Sequence, residues 1–419
     1  MGIEAQYDYT PRVYRRIVFA AVQGSSFNEA SETLAELAEL QLLPKRVWRA
    51  AKRIGEERVA ETQQAVAGFK QLPLPARQLS PIEPVPGVAC VQMDGGRYQE
   101  RERIAEPEDA AGSAPAKPFE ATSEPDSDGH WREYKAGVLA TMASDVHAED
   151  PCPELPATFA DPGKMREIAR EIKGFTTDSQ VSCKADEEAG PDFKERVGRP
   201  EVLVKSVVAT SGDIDAFGPQ LAAAAYERGF FAALRKAFVA DGSETNWSVW
   251  RQFFSHFTPV LDFVHALMYV YAGAMTGRPP NEGWPDYRLW AQWLWKGEID
   301  PLLAALERRQ QELGFPEPKE TGTPRAQVAK SLTYLTNQRQ RMKYDEYRKQ
   351  GLPITSSLIE STIKQINRRI KGTEKFWDEG ADPMLHLVAD RFSQTSAAGT
   401  FWSRRLTRLI NAASYHQAA

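Results

Sequence analysis

The residues best suited to chemistry lie in one basic segment, Gly351-Leu-Pro-Ile-Thr-Ser-Ser-Leu-Ile-Glu-Ser-Thr-Ile-Lys-Gln-Ile-Asn-Arg-Arg-Ile-Lys371. Thr355 and Ser356 follow Pro353 and offer N-cap oxygens. Ile359, Ile363, Ile366 and Ile370 recur at helical spacing, and Gly372 is placed to end the helix. On that helix Glu360, Lys364, Asn367 and Lys371 fall at i, i+4, i+7 and i+11, so they share one ridge, with Arg368 beside it. One carboxylate above a ladder of cations suits a metal-dependent enzyme that grips DNA. A plainer reading of the same residues makes Ser357-x-x-Glu360 a capping box and the cations a solvated face.

Two aspartates stand at the ends of apolar runs elsewhere. Val88-Ala-Cys-Val-Gln-Met-Asp94 reads as a short strand that ends at Asp94, with Gly95-Gly96 permitting a tight turn and leaving room beside the carboxylate. Lys236-Ala-Phe-Val-Ala-Asp241-Gly242 repeats the arrangement. Strands ending in Asp-Gly offer carboxylates at the carboxyl edge of a sheet. Singly, each reads as readily as a turn. With Glu360 they give three carboxylates in the order Asp, Asp, Glu, the set used by ribonuclease-H-like nucleases and transposases.

The segments Val91-Gln-Met-Asp94-Gly95, Trp131-Arg-Glu-Tyr-Lys135, Val239-Ala-Asp241-Gly242, Leu261-Asp262-Phe-Val-His265, Gly351-Leu-Pro-Ile354 through Glu360, and Phe376-Trp377 with Gly380-Ala381 and Met384-Leu385 occur in that order. In this respect the chain resembles a bacterial insertion-sequence transposase of the DDE type, in the ISKra-like group, from about Tyr14 to the C-terminus. The resemblance implies that Asp94, Asp241 and Glu360 are catalytic residues that hold two Mg²⁺ or Mn²⁺ ions. Asp94 would bridge the pair, about 3.5 to 4 Å apart as in two-metal sites generally. It also implies cleavage at the ends of an element and joining of the 3′-hydroxyls to target DNA. Asp262 would lie on the fifth strand, farther from the first, so it and His265 read as a supporting pair behind the metal ligands. Lys364, Asn367, Arg368, Arg369, Lys371 and Lys375 are the expected phosphate contacts, and Trp377 the expected base-stacking surface.

The implied partner is double-stranded DNA, both element ends and target, engaged by a homodimer or larger assembly without a small-molecule cofactor. Two other functions remain open to the sequence. One is a ribonuclease-H-like nuclease without strand transfer, and the other a non-catalytic DNA-binding protein derived from a transposase.

The fold class expected is α/β: a ribonuclease-H-like mixed five-stranded sheet, an all-α insertion before the last catalytic helix, and a helical N-terminal domain. Residues 1–71 are helical, with Ser26 capping a helix whose apolar stripe is Ala30, Leu34 and Leu37. A longer helix spans Arg46 to Val66. That pair fits either a helix-turn-helix unit, with Lys45, Arg46, Arg49, Lys52 and Arg53 meeting DNA, or a helical hairpin packed on the rest of the chain. A Pro-rich linker occupies 72–87. The catalytic core begins with 88–264, carrying polar insertions at 104–130 and 150–200 that are too poor in apolar residues to build a core. Strands are expected at Glu133 to Met142, Val202 to Thr210 and Val260 to Phe263. Helices are expected at Gly163 to Lys173, Ile214 to Arg228 and Trp247 to Phe257. The first and fourth strands should be neighbours, bringing Asp94 beside Asp241. The all-α insertion covers 265–350, with Trp284, Trp290, Trp293 and Trp295 reading as core. The core resumes over 351–395, and 396–419 forms a helical tail.

Composition is compatible with this and would not have found it. The chain has 419 residues and is 42% apolar, enough for two or three domains. A net charge of −5 speaks against a general nucleic-acid binder, yet residues 321 to 419 carry 16 Lys and Arg against 8 Asp and Glu. The positive charge is therefore concentrated around Glu360. Cys90, Cys152 and Cys183 form no C-x-x-C pair, which argues against a zinc finger or a disulfide framework and fits a reducing compartment. The longest apolar run, Pro259 to Met275, contains Asp262 and His265 and is too short to span a bilayer. A cytoplasmic, nucleoid-associated protein without a membrane partner is expected.

Overall fold

The computed structural model describes residues 9–101, 130–171, 199–372, 375–377, 380–395 and 398–407. Three helices lead the chain: α1 (Pro11–Gln23), α2 (Phe27–Ala38) and α3 (Pro44–Gln71). Thr10 and Ser26 cap the first two, each hydroxyl accepting the N–H three residues on. Next come β1 (Val88–Glu100), β2 (Trp131–Ala143), α4 (Pro162–Glu171), β3 (Glu201–Thr210), α5 (Ile214–Glu227), β4 (Arg235–Ala240), α6 (Glu244–Phe253) and β5 (Thr258–Leu261). A helical block follows, α7 (Phe263–Met275), α8 (Pro280–Trp295), α9 (Ile299–Leu313), α10 (Pro324–Gln338) and α11 (Tyr344–Lys349). The last elements are α12 (Ser357–Ile370), β6 (Phe376–Trp377) and α13 (Ala381–Phe392).

The strands form one mixed sheet in the order β3-β2-β1-β4-β5. β1 runs antiparallel to β2 and β2 to β3, whereas β4 pairs parallel with β1 and β5 parallel with β4. The two-residue β6 pairs parallel with the far end of β1, a sixth strand beyond the five expected. Central parallel strands are covered on both faces and so read as unbroken apolar runs. Val88 to Val91 and Ala237 to Ala240 are fully buried in that way.

Period-two alternation divides β1 between the two faces. Tyr98 of β1, with Tyr134, Ala136 and Val138 of β2, joins a core built with α1, α2, α3, α12 and α13. Val91 and Met93 face a second core that includes α5, α6 and the helical block. Within that block Trp290 and Trp295 are buried, and Phe263 packs edge-on against Trp295 and Tyr344 at 4.9 and 5.1 Å. Among the described residues no helix is long and apolar enough to cross a membrane.

Several expected boundaries move. β1 does not stop at Asp94 but continues through Gly95-Gly96 to Glu100, because its pairing with β2 extends to Gln99 opposite Trp131. Instead of making a turn, Gly96 leaves the space that the Tyr134 ring fills on the neighbouring strand. The helix after Asp241 starts at Glu244, and the fifth strand ends at Leu261, so Asp262 caps α7 rather than sitting within a strand. Leu37 is exposed, and the stripe of α2 reduces to Ala30 and Leu34. Most of the 104–130 insertion, residues 172–198 of the second insertion and residues 408–419 of the tail lie outside the described residues.

Candidate metal centre at the carboxyl edge of the sheet

Parallel register brings the aspartates together. Gln92 of β1 lies opposite Val239 of β4, and Ala240 of β4 opposite Leu261 of β5. Asp94 and Asp241 are each two residues beyond the first pair, and Asp241 and Asp262 each one beyond the second. Three carboxylates thus stand side by side along one edge, and the N-terminal turn of α12 supplies a fourth, Glu360.

Two polar side chains clamp α12 there. Buried Gln92 accepts the Ile359 N–H through Oε1 (3.1 Å) and donates Nε2 to the Thr355 carbonyl (2.9 Å). Asp262, fully buried, accepts the Ser356 N–H through Oδ1 (2.7 Å). Asp262 thereby satisfies a donor that the helix start leaves without an intrahelical partner, and Gln92 shares the Ile359 N–H with the Ser356 carbonyl (3.0 Å). The approach also needs Gly351, whose φ of +61° and close passage by the Asp145 carbonyl exclude a side chain. The capping-box alternative fails. Ser356, not Ser357, precedes the helix, and its hydroxyl donates to Glu360 Oε1 (2.8 Å) while Asp262 takes its N–H.

The carboxylates differ in how fully they are bonded. Asp241 accepts the Ser243 N–H (3.0 Å) and Asn246 Nδ2 (2.8 Å), both at Oδ1. Asp94 accepts the Gly95 N–H at Oδ1 (2.7 Å), and Glu360 accepts Ser356 at Oε1. Among the described residues, each of these three keeps a second oxygen with no hydrogen bond. Asp262 has none to spare, because its Oδ2 accepts both the His265 N–H (2.8 Å) and His265 Nδ1 (2.7 Å). Asp262, His265 and Glu360 bring donor atoms within 4.8 Å of one another, yet Asp262 acts inside that group as a brace for the imidazole and the helix.

The electrostatics report crowding. Burial pushes the Asp94 carboxyl up to about 6; repulsion from Asp241 and Glu360 adds to the rise, while the Gly95 N–H and His265 oppose it. Glu360 is also raised, by burial first and then by Asp262. Burial alone would lower His265, but its Asp262 hydrogen bond and the charges of Asp262, Asp241 and Glu360 outweigh that and lift it to about 9. Clustered anionic oxygens in a half-buried cleft form a donor set that fits hard divalent cations such as Mg²⁺ or Mn²⁺.

The residues expected to touch DNA separate into groups. Lys364, Arg368 and Lys371 are exposed along one ridge of α12, and Lys371 lies over the Trp131 ring at 5.4 Å. Asn367 is half-buried and accepts the Tyr134 hydroxyl (2.9 Å). Arg369 and Trp377 correct the surface expectation. Arg369 is buried, donates Nε to the Ala21 carbonyl (2.7 Å) and lies over Phe27 and Trp377. Trp377 is 6% exposed and donates its indole N–H to the Ile370 carbonyl (2.7 Å), so it offers no open face to a base. Lys375 donates to the Arg368 and Arg369 carbonyls and thus caps the end of α12. On α3, Lys45, Arg46 and Arg49 are exposed, whereas Lys52 and Arg53 are half-buried.

Sequence reasoning missed Gln92 and Asn246, and it read Ser356 as an N-cap without its bond to Glu360. Gln92 carried a usable signal, being the sole polar residue in the run Val88 to Met93 and two positions from Asp94. Nothing in the sequence marked Asn246 apart from its neighbours. Compared with known proteins, the chain matches no family model and no curated sequence.

Proposed function

We propose that this protein is a metal-dependent DNA phosphoryl transferase with a ribonuclease-H-like core, a transposase that cuts the ends of an insertion sequence and joins the 3′-hydroxyls to target DNA. The observation that carries this reading is the placement of Asp94 and Asp241 at the carboxyl edge of adjacent parallel strands, with Glu360 of α12 near enough to act on the charge of Asp94 and each of the three keeping one oxygen not hydrogen-bonded among the described residues. The order of the motifs along the chain supports it further.

Asp94, Asp241 and Glu360 would hold the cations. Divalent ions in such a site acidify a bound water or 3′-hydroxyl and neutralise charge on the leaving oxygen. The chain's own residues do the rest. Asn246 and the Ser243 N–H fix one oxygen of Asp241, Ser356 fixes one of Glu360, and each carboxylate keeps its other oxygen for the ion. Gln92 and Asp262 lock the helix that carries Glu360, which limits the motion of that ligand between steps. Lys364, Arg368 and Lys371, on the same helix, lie where a phosphate backbone at the site can be held.

The test is incubation of the purified protein with Mg²⁺ or Mn²⁺ and labelled DNA carrying the ends that flank its gene. Metal-dependent 3′-end cleavage with joined products is expected. Cleavage without joining would reduce the reading to a nuclease, and binding without either product would defeat it.

A further inference from the structure

His265 is the one group at the site whose placement the triad does not explain. It sits in the first turn of α7, half-buried, with Nδ1 fixed on fully buried Asp262. Its Nε2 has no hydrogen-bond partner among the described residues, although the ring lies close enough to Asp94, Asp241 and Glu360 to feel all three charges. Unlike His386 Nε2, the Nε2 of His265 is not a sealed, unsatisfied atom, so it stays accessible from outside. Here one nitrogen is braced by a carboxylate and the other is left open beside carboxylate oxygens, the arrangement in which a second carboxylate sets the tautomer and orientation of a metal-binding imidazole.

We propose that His265 Nε2 is a nitrogen ligand to the ion held by Glu360, with Asp262 as the brace that keeps Nδ1 protonated and the ring aimed. The inference rests on the phosphoryl-transfer reading and adds a ligand to it. A nitrogen of the His265 ring and a carboxylate oxygen of Glu360 lie within 4.8 Å of each other, which places the imidazole at the edge of any ion that Glu360 holds. The chemical consequence is selectivity. An all-oxygen site suits Mg²⁺, whereas an imidazole nitrogen shifts preference toward a transition ion such as Mn²⁺. Asp262 thereby acquires a reason to be fully buried at a site where the other carboxylates are only half-buried.

The experiment is pulsed electron paramagnetic resonance on the full-length protein loaded with Mn²⁺, with and without ¹⁵N-labelled histidine, alongside Mn²⁺ and Mg²⁺ titrations. A histidine nitrogen coupling in the wild type that changes with the label and disappears in His265→Ala is expected. In that variant the Mn²⁺ dissociation constant should rise about tenfold or more, and the Mg²⁺ constant by less. The wild-type isotope comparison stands even if the variant folds poorly. Mn²⁺ bound without any histidine coupling overturns the inference and leaves the phosphoryl-transfer reading intact. A coupling that persists in folded His265→Ala also overturns it, by assigning the nitrogen to another of the six histidines. Wild-type protein that binds neither ion defeats the underlying reading as well.

Discussion

The molecule buries charge in two places and treats it in opposite ways. Arg348 and Arg369 are almost wholly enclosed, and each is met by hydrogen-bond acceptors and aromatic faces, although one nitrogen of each guanidinium lacks a hydrogen bond. Arg348 forms a two-pronged pair with Asp150, donates to the Trp295 carbonyl and lies 4.0 Å over the Trp295 ring. Arg369 has the Ala21 carbonyl and two aromatic faces. At the carboxyl edge, by contrast, Asp94, Asp241, Asp262 and Glu360 collect like charge with one imidazole among them, and three of the four keep an oxygen unbonded. Charge that the fold answers internally is structural. Like charge gathered with a single imidazole to answer it is the feature on which the proposed metal site rests.

That contrast predicts different losses when each kind is removed. Asp94→Ala, Asp241→Ala and Glu360→Ala should each lower strand cleavage by on the order of 10³-fold or more while leaving DNA-end binding intact. A gel assay of labelled ends reads both, and near wild-type cleavage by any variant removes that residue from the metal set. Arg348→Ala should act on the fold instead. Leaving the mostly enclosed Asp150 with only the Cys152 N–H is expected to cost about 2–4 kcal/mol in denaturant unfolding. An undiminished midpoint would show that the pair is not structural.

Asp94 distinguishes the two classes by sign. Its folded-state pKa of about 6 lies above its unfolded value. The folded protein therefore holds the extra proton between the two, and this contribution to stability is lost as pH rises from about 4 through about 6. Metal-free Asp94→Asn should be more stable than wild type by about 1–3 kcal/mol at pH 7, with the gap closing below about pH 4. Thermal unfolding across that range checks it. Added Mg²⁺ should raise the wild-type melting temperature and not that of the variant. The smallest effect belongs to the exposed ridge, where Lys364→Ala, Arg368→Ala or Lys371→Ala should each reduce the salt dependence of DNA binding by about one unit of log–log slope. An unchanged slope in all three would move the DNA path off α12.

The mixed sheet was legible because its strands are short apolar runs punctuated by Asp-Gly and Gly-Gly, and the neighbouring of the first and fourth strands followed from their order. The extent of β1 was not legible. A glycine pair after an apolar run reads as a turn, and only pairing with β2 carries the strand across it. Arg369 and Trp377 misled for a related reason: a basic helix followed by an aromatic describes equally a DNA surface and a cation sealed against a ring. Which one forms depends on whether α1 and α2 cover that end of the helix, and Ala21 and Phe27 place them there.

The sequence by itself determined the chemistry on offer: which segments carry carboxylates, in what order, and that one of them shares a helix with a row of cations. Spacing within a strand or helix is local, so the Glu360 ridge and the Asp-Gly strand ends could be read directly. The tertiary structure alone decided how each carboxylate is used. Asp241 and Asp262 both follow apolar strands, and only the packing of α7 and α12 shows that Asp262 has both oxygens bonded while Asp241 keeps one. Hydrogen-bond saturation depends on groups more than ninety residues apart in the chain, and spacing along a sequence carries no record of it.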